Sequence, residues 1–472
     1  MAMTFFAFEF FVFFAALLIV YYIVPRTLQN PLLFIANGVF AYFSGGIATL
    51  ISLLLIILYS YAGTLLVCKT QKHGVKKALA VLEIIGIVLF LVAAKYFHSR
   101  LHLSAIPLGI SFYSLQAISY IIDSYRGKIL PEKNIFRYFL FMSFFPQLPS
   151  GPIHRYNDFL QIPSYRPLCW QSIAYGLQRM LWGLIKKLVI AERAAIVVTV
   201  VFADYKIWSG MYIVLAVALY FVQLYADFSG SIDIALGAAE ALGIRLPENF
   251  NLPFFAKNES DFWNRWHISL SQWLRDYIYI PVGGGRCSKW KKYCNVTATF
   301  LVSALWHGAA LHFIVWGLLH GIYSVLDDFF KPYAVWICQK FHIKTQCFSV
   351  LLFLRIKTLG LVGFSWIFFR AKDFKTAIDM VKHLFKINFT IFTAHPFVNL
   401  GLTIHDWIIL CISIFMAWNS ALIQKKTSVR NALAKQNIVF RWCIYFIGLF
   451  WVLVFGMYGP EYNAAAFIYA GF

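Results

Sequence analysis

Charge is scarce in this chain. Only 13% of its 472 residues are Asp, Glu, Lys or Arg, about half the usual share of roughly 25%. The polar stretches between hydrophobic runs are too short for a soluble domain, which excludes a free-standing aqueous module. Several catalytic loops are missing too. There is no Walker loop, no Gly-x-Gly-x-x-Gly fingerprint and no Gly-x-Ser-x-Gly elbow, so P-loop NTPases, dinucleotide enzymes and elbow-type serine hydrolases lack their defining turns. No internal repeat is evident, which counts against transporters built from duplicated halves. Cysteines occur at 68, 169, 287, 294, 338, 347, 411 and 443, mostly in or beside apolar runs where Cys acts as a small hydrophobe. Cys287 and Cys294 share a basic loop, but their spacing is not that of a zinc pair and two ligands are too few. They read as free thiols on the reducing side.

What the chain has in excess is apolar sequence, 61% of residues with 48 Phe, 26 Tyr and 15 Trp. It arrives in stretches of roughly 17–22 residues, the length that crosses a bilayer. The expected fold is an all-α polytopic membrane protein, one domain over residues 1–472, with about eleven transmembrane helices plus re-entrant or interfacial ones. Spans are expected at 4–24, 31–44, 48–67, 78–97, 106–122, 172–189, 211–228, 296–305 running into 309–326, 350–369, 407–422 and 440–457. Residues 246–275 are less apolar and read as interfacial or re-entrant. Between 145 and 155 the sequence Phe-Pro-Gln-Leu-Pro-Ser-Gly-Pro-Ile-His-Arg interrupts any helix. Irregular backbone at membrane depth survives only inside protein or against a wet cavity, so Pro146, Gln147, Ser150, Gly151, Pro152 and Arg155 are candidate funnel or re-entrant residues.

The first 24 residues carry no basic start and no small-residue cleavage site, so they read as a span rather than a cleaved signal peptide. The formal net charge of +21 calls for no nucleic-acid partner. Basic residues cluster in short loops, at Lys69, Lys72, Lys76 and Lys77, at Arg286, Lys289, Lys291 and Lys292, and at Lys425, Lys426 and Arg430. The positive-inside rule accounts for them and puts the N-terminus outside, the Lys69–Lys77 loop in the cytoplasm.

Against this background three histidines stand out. Ionisable groups at membrane depth are costly to bury and mark functional sites by default, and imidazole is suited to proton transfer near neutral pH. If residues 262–279 form one helix, Trp263, His267, Leu270 and Leu274 share a face, with Ser271 one turn beyond His267 and Asn264, Arg265 and Arg275 nearby. The same pattern also fits an interfacial helix with an aromatic belt and snorkelling cations. Downstream, His307 follows Trp306, and His320 follows Trp316 by one turn among Leu318, Leu319 and Ile322. Desolvation there favours the neutral ring, a potential base; an interhelical hydrogen bond to a carbonyl is the plainer reading.

Metal binding fits poorly. His312 also lies in this stretch, but 13 residues on a straight helix turn His320 roughly 220° from His307. No companion carboxylate is evident in sequence, and no metal is expected. Asp227, Asp233 and Glu240 fall on roughly one helix face, where they line a wet cavity or pair with Arg265 or Arg275.

Taken together, the segments Leu-Gly-Ile-Ser-Phe-Tyr at 108–113 with Gln116, then FFPQLPSGPIHRY, LYADFSGSIDIALG, PENFNLPF, FWNRWHISLSQWLRDYIYIPVGG, LWHGAALHFIVWGLLHG and the terminal FIYAGF resemble the membrane-bound O-acyltransferase superfamily. The resemblance covers most of the chain and is greatest to the bacterial branch typified by the alginate O-acetyltransferase membrane subunit. It implies a ring of tilted helices around a thin centre, with a funnel opening outward and a passage from the cytoplasmic face to the histidine. His320 matches the family's catalytic histidine, His267 its second signature position, and His307 its Trp-His-Gly motif in a supporting role.

The implied reaction carries an acetyl group from a cytoplasmic thioester to an extracytoplasmic polysaccharide. His320 takes the acceptor hydroxyl's proton, and His267 or backbone amides stabilise the oxyanion. His320 as a covalent acyl carrier stays open. No permanent cofactor is expected; the donor is acetyl-CoA or an acyl-carrier thioester, the latter brought by a cytoplasmic donor protein. The expected setting is the bilayer of a bacterial cytoplasmic (inner) membrane, with an extracytoplasmic partner of the SGNH-hydrolase type completing transfer. The segment from Pro152 to Phe159 also resembles the subunit that D-alanylates teichoic acids. A proton-coupled transporter or flippase is the alternative of another class. For either transferase, His320 is expected to be reachable from both compartments.

Overall fold

The computed structural model describes residues 3–97, 106–163, 165–386 and 398–458; the terminal FIYAGF motif lies outside them. Among these residues the protein is helical, without a strand. In order the helices are α1 (Phe8–Ile23), α2 (Gln29–Lys69), α3 (His73–Tyr96), α4 (Ile110–Tyr125), α5 (Ile135–Ser143), α6 (Tyr156–Phe159), α7 (Trp170–Leu184), α8 (Glu192–Ala203) and α9 (Met211–Ala241). There follow α10 (Glu259–Trp263), α11 (Ile268–Leu274), α12 (Lys289–His307), α13 (Leu311–Lys340), α14 (Phe348–Arg370), α15 (Phe374–Leu384), α16 (Ile404–Gln424), α17 (Val429–Ala434) and α18 (Ile438–Phe455).

Seven helical segments among the described residues are long and apolar enough to cross a bilayer, which makes this a multi-pass membrane protein. That measure does not reach eleven, because several expected spans are short: α1 and α4 have 16 residues each. The spans expected at 31–44 and 48–67 run almost continuously as α2, broken at Gly46 with φ 68°, a left-handed backbone that glycine adopts without penalty.

The chain divides into two compact units. The first comprises Met1–Lys187, Phe228–Pro247 and Leu433–Phe472, the second Leu188–Asp227 and Glu248–Ala432. In the first unit, α7 and the end of α9 cross in close contact because glycine faces glycine. A Cβ on Gly176 would lie 2.4 Å from the Gly237 carbonyl oxygen, and one on Gly183 would lie 2.6 Å from that of Gly230. Small residues that let backbones touch are how helices associate without a hydrophobic driving force. Beside this crossing Asp233 meets Lys186 at 2.5 Å and Arg179 at 3.0 Å. The expected structural pairing of this acid is present, but with neighbours on α7 and its continuation. Arg265 and Arg275 instead bind Asp261 and Asp276.

The stretch after α5 is irregular and mostly buried, as the prolines predict. Some of its polar groups are met from inside the protein: Phe145 N–H donates to Asn37 Oδ1 at 3.0 Å and Gln116 Nε2 to Gln147 Oε1 at 3.3 Å. Gly151 turns so tightly that a Cβ would sit 2.3 Å from Gln147 Cα.

In the second unit, α12 and α13 form a hairpin. Gly308 ends α12 in extended backbone, and a Cβ on Gly317 would be 2.7 Å from the Phe300 carbonyl oxygen, so the two helices close tightly. The Arg193–Asp406 ion pair at 3.2 Å joins α8 to α16.

Candidate active site

The site is built from segments far apart in sequence. Residues 262–279 are not one helix. The helix α10 ends at Trp263, and His267 has φ 45° and ψ 53° as the residue before α11, a left-handed conformation uncommon for a bulky residue. Asn249 holds this turn: its carbonyl oxygen accepts from Ile268 N–H at 3.0 Å, and its Oδ1 accepts from Ser269 N–H at 3.0 Å and Ser269 Oγ at 2.8 Å. The same Oδ1 lies 3.3 Å from His267 Nδ1, so that nitrogen donates. Burial pushes the His267 imidazole down to about 3; the neutral ring therefore carries its lone pair on Nε2. Ser271 donates its hydroxyl to the Trp266 carbonyl at 3.3 Å rather than to His267.

His320 is buried on α13, with no solvent exposure. Its Nδ1 is bonded to Glu259 Oε1, and its Nε2 lies 2.8 Å from Ser365 Oγ on α14. A carboxylate, an imidazole and a hydroxyl thus stand in series, the arrangement that fixes a histidine tautomer and directs its other nitrogen at an O–H. Besides His320, two further contacts hold Glu259. Trp263 Nε1 donates to Oε1 at 2.7 Å, and the Glu259 N–H donates to Asp327 Oδ2 at 2.8 Å. Asp327 in turn accepts from Lys357 Nζ at 2.7 Å. Glu259 is 2% exposed and its Oε2 has no partner among the described residues, so the carboxylate commits its bonding to the His320 side.

Aromatic rings enclose the site. Trp263 and Trp316 meet the His320 ring edge-on at 5.1 and 5.0 Å between centroids, and Phe300 lies nearly parallel at 5.9 Å. Ring contacts then run from Trp316 to His307 at 5.2 Å, from His307 to Trp306 at 4.8 Å, and from Trp306 to His267 at 6.2 Å. All three histidines therefore belong to one cluster. The straight-helix argument separating His307 from His320 fails because the chain reverses at Gly308, which brings both rings onto Trp316.

Other expected residues lie elsewhere. Asn264 is exposed, and Arg265 is engaged by Asp261 at 2.7 Å and the Asn251 carbonyl at 3.2 Å. Pro146, Gln147, Ser150, Gly151, Pro152 and Arg155 belong to the first unit. His312 bonds through Nδ1 to the Phe368 carbonyl at 3.0 Å. The expectation that His320 is reachable is not met in this conformation, since Ser365 and the three rings close around it. Sequence reasoning missed Glu259, Ser365 and Asn249. The companion carboxylate sought near His320 stands 61 positions away, and it shares the first turn after the capping Asn258 with Asp261, so nothing local set it apart.

Comparison with known proteins identifies the family. The sequence profile of MBOAT, the membrane-bound O-acyltransferase family, matches residues 130–371, which include all three histidines and Glu259. The probable alginate O-acetylase AlgI of Pseudomonas aeruginosa is 37% identical over 280 residues, 59% of this chain and 52% of the relative. The alignment thus spans about half of that relative's length. The peptidoglycan O-acetyltransferase of Helicobacter pylori is 32% identical over 415 residues, 78% of this chain and 77% of the relative. The teichoic acid D-alanyltransferase of Bacillus subtilis is 31% identical over 242 residues, 48% and 60% of the two chains. With a matched profile over half its length and a buried carboxylate–imidazole–hydroxyl series inside the match, this chain belongs to the membrane-bound O-acyltransferase family.

Proposed function

We propose that this protein is an O-acetyltransferase of a bacterial cytoplasmic membrane. It takes an acetyl group from a cytoplasmic thioester, acetyl-CoA or a carrier-protein thioester, and delivers it toward hydroxyls of an extracytoplasmic polysaccharide. An extracytoplasmic partner of the SGNH-hydrolase type completes the transfer. The observation that carries this reading is the bonding of His320. Its Nδ1–H is held by Glu259, and its Nε2 already meets a hydroxyl at 2.8 Å.

In the resting site Ser365 occupies the place of the acceptor. Its O–H can turn to the Val362 carbonyl at 2.7 Å, which frees Nε2 for an incoming hydroxyl. The acceptor's proton passes to Nε2 as its oxygen attacks the thioester carbonyl. The tetrahedral intermediate collapses with loss of the C–S bond, and the imidazolium returns the proton to the thiolate. Glu259 stabilises the imidazolium between these steps. Because neutral His267 presents a lone pair on Nε2, oxyanion stabilisation falls to backbone amides, and His267 shapes the turn under Trp306. Substrate entry requires Trp263 or Trp316 to move, since His320 is sealed at rest.

The test is a labelling experiment in cells with and without the protein, using labelled acetate or labelled D-alanine. Acetyl label should reach the surface polysaccharide only when the protein is present, and His320→Ala should abolish it while the variant still inserts in the membrane. Undiminished labelling in that variant overturns the mechanism. Label from D-alanine instead supports the teichoic acid reading, whose named relative is 31% identical over 242 residues.

A further inference from the structure

The first unit holds a cavity of about 680 Å³, within the ~300–1,000 Å³ of ordinary ligand sites. Its walls come from the start of α2, from α5, and from the segment after α6. Its lining combines an apolar set, with Phe34, Leu140, Phe144 and Phe159, and a polar set, with Asn30, Arg137, Gln147 and Arg166.

The polar set is unbalanced. Arg166 is 5% exposed, yet among the described residues its guanidinium meets only neutral acceptors: the Tyr21 hydroxyl from Nε, the Pro163 carbonyl at 3.0 Å from Nη1, and Asn30 Oδ1 from Nη2. A guanidinium has five N–H donors, so each terminal nitrogen keeps one in reserve. A buried cation without a counter-ion carries a desolvation cost that neutral acceptors only partly offset. Gln147, 4% exposed, accepts from Gln116, but its Nε2 is buried with no partner among the described residues. Arg137 at the edge leans on Glu132 at 3.8 Å, a carboxylate already bonded by Tyr156 and by the Asn134 N–H. The cavity therefore offers spare donors and positive charge, and asks for an anion.

The exposed part of the lining identifies where that anion comes from. Ile35 and Phe136 line the cavity and are 61% and 65% exposed, and Ile35 lies on a segment apolar enough to span the bilayer. Large apolar side chains exposed on such a segment face hydrocarbon, so the cavity opens sideways into the membrane.

We propose that this cavity binds an anionic membrane lipid, its head group against Arg166 and Gln147 and its hydrocarbon along Phe136 and Ile35. The cavity belongs to the first unit and the histidine cluster to the second, so the proposal does not rest on the transfer chemistry. Native mass spectrometry of the full chain, released from nanodiscs of phosphatidylcholine mixed with phosphatidylglycerol, reads it directly. The expected result is retained phosphatidylglycerol in preference to phosphatidylcholine, weakened roughly tenfold or more in Arg166→Gln, the factor lost with a charge-assisted hydrogen bond. Arg137→Gln, at the half-exposed edge, should weaken retention several-fold and serves as the deciding variant if Arg166→Gln does not fold. Equal retention of the two lipids overturns the proposal, as does unchanged phosphatidylglycerol retention in the variants that fold. Displacement of the lipid by millimolar inorganic phosphate alone also overturns it, by assigning the donors to a soluble anion.

Discussion

Glu259→Gln is the substitution that asks most of the proposed chemistry. Glutamine keeps the volume and a carbonyl oxygen for the Trp263 indole N–H, and the backbone N–H still reaches Asp327. Folding and membrane insertion should therefore survive. What is lost is the negative charge beside His320 Nδ1. A hydrogen bond to a charged group is worth about 1.5–3 kcal/mol, and each 1.36 kcal/mol is about tenfold in rate. The turnover number should thus fall roughly 10- to 150-fold. His320→Ala should fall further, by the roughly 10²–10⁴ that a positioned general base supplies. The assay is acyl transfer in reconstituted vesicles, with kcat and KM for the thioester measured separately. Glu259 acts through His320 and not on substrate, so KM should hold while kcat drops. Glu259→Asp, which restores the charge but withdraws it by about 1.5 Å, should recover part of the rate. A Glu259→Gln enzyme with wild-type kcat, or a loss carried entirely by KM, would refute the relay.

Three further outcomes follow from particular contacts. Ser365→Ala removes the hydroxyl that meets His320 Nε2 at 2.8 Å, and because the acceptor takes that place during turnover, kcat should change by no more than the roughly 0.5–1.5 kcal/mol of one neutral hydrogen bond; complete loss of activity would make Ser365 an acyl carrier instead. His267→Asn should fold, since Asn tolerates the left-handed backbone at φ 45°, whereas β-branched His267→Val should be strongly destabilised, and size-exclusion profiles in mild detergent with thermal unfolding separate the two. Gly237→Ala puts a Cβ 2.5 Å from the Gly176 carbonyl oxygen, so α7 and α9 must part, at about 1–3 kcal/mol, read as a lowered unfolding temperature of the detergent-solubilised protein.

How much of this was legible in the sequence depends on the range of the interaction. Run lengths and periodicity are local, and from them the helical, membrane-embedded class and most spans emerged to within a few residues. The broken stretch after α5 was equally plain, because proline at 146, 149 and 152 denies the backbone its hydrogen bonds wherever it lies. The three histidines were visible as costly residues in apolar surroundings. The turn at His267 was hidden, because nothing in its own neighbourhood demands a left-handed residue; the demand comes from Asn249, 18 positions earlier.

Residence in a bilayer, repeated crossing of it and imidazoles placed where charge is expensive are all written in the linear order of residues. Only the tertiary structure decided which groups those imidazoles face. The reversal at Gly308 brings His307 and His320 onto one tryptophan, and the packing of α10 and α14 against α13 sets Glu259 and Ser365 on opposite nitrogens of one ring. The physical reason is that hydrophobic run length is written along the chain, whereas a proton's path depends on distances of about 3 Å between groups that folding brings together from 45 and 61 residues apart.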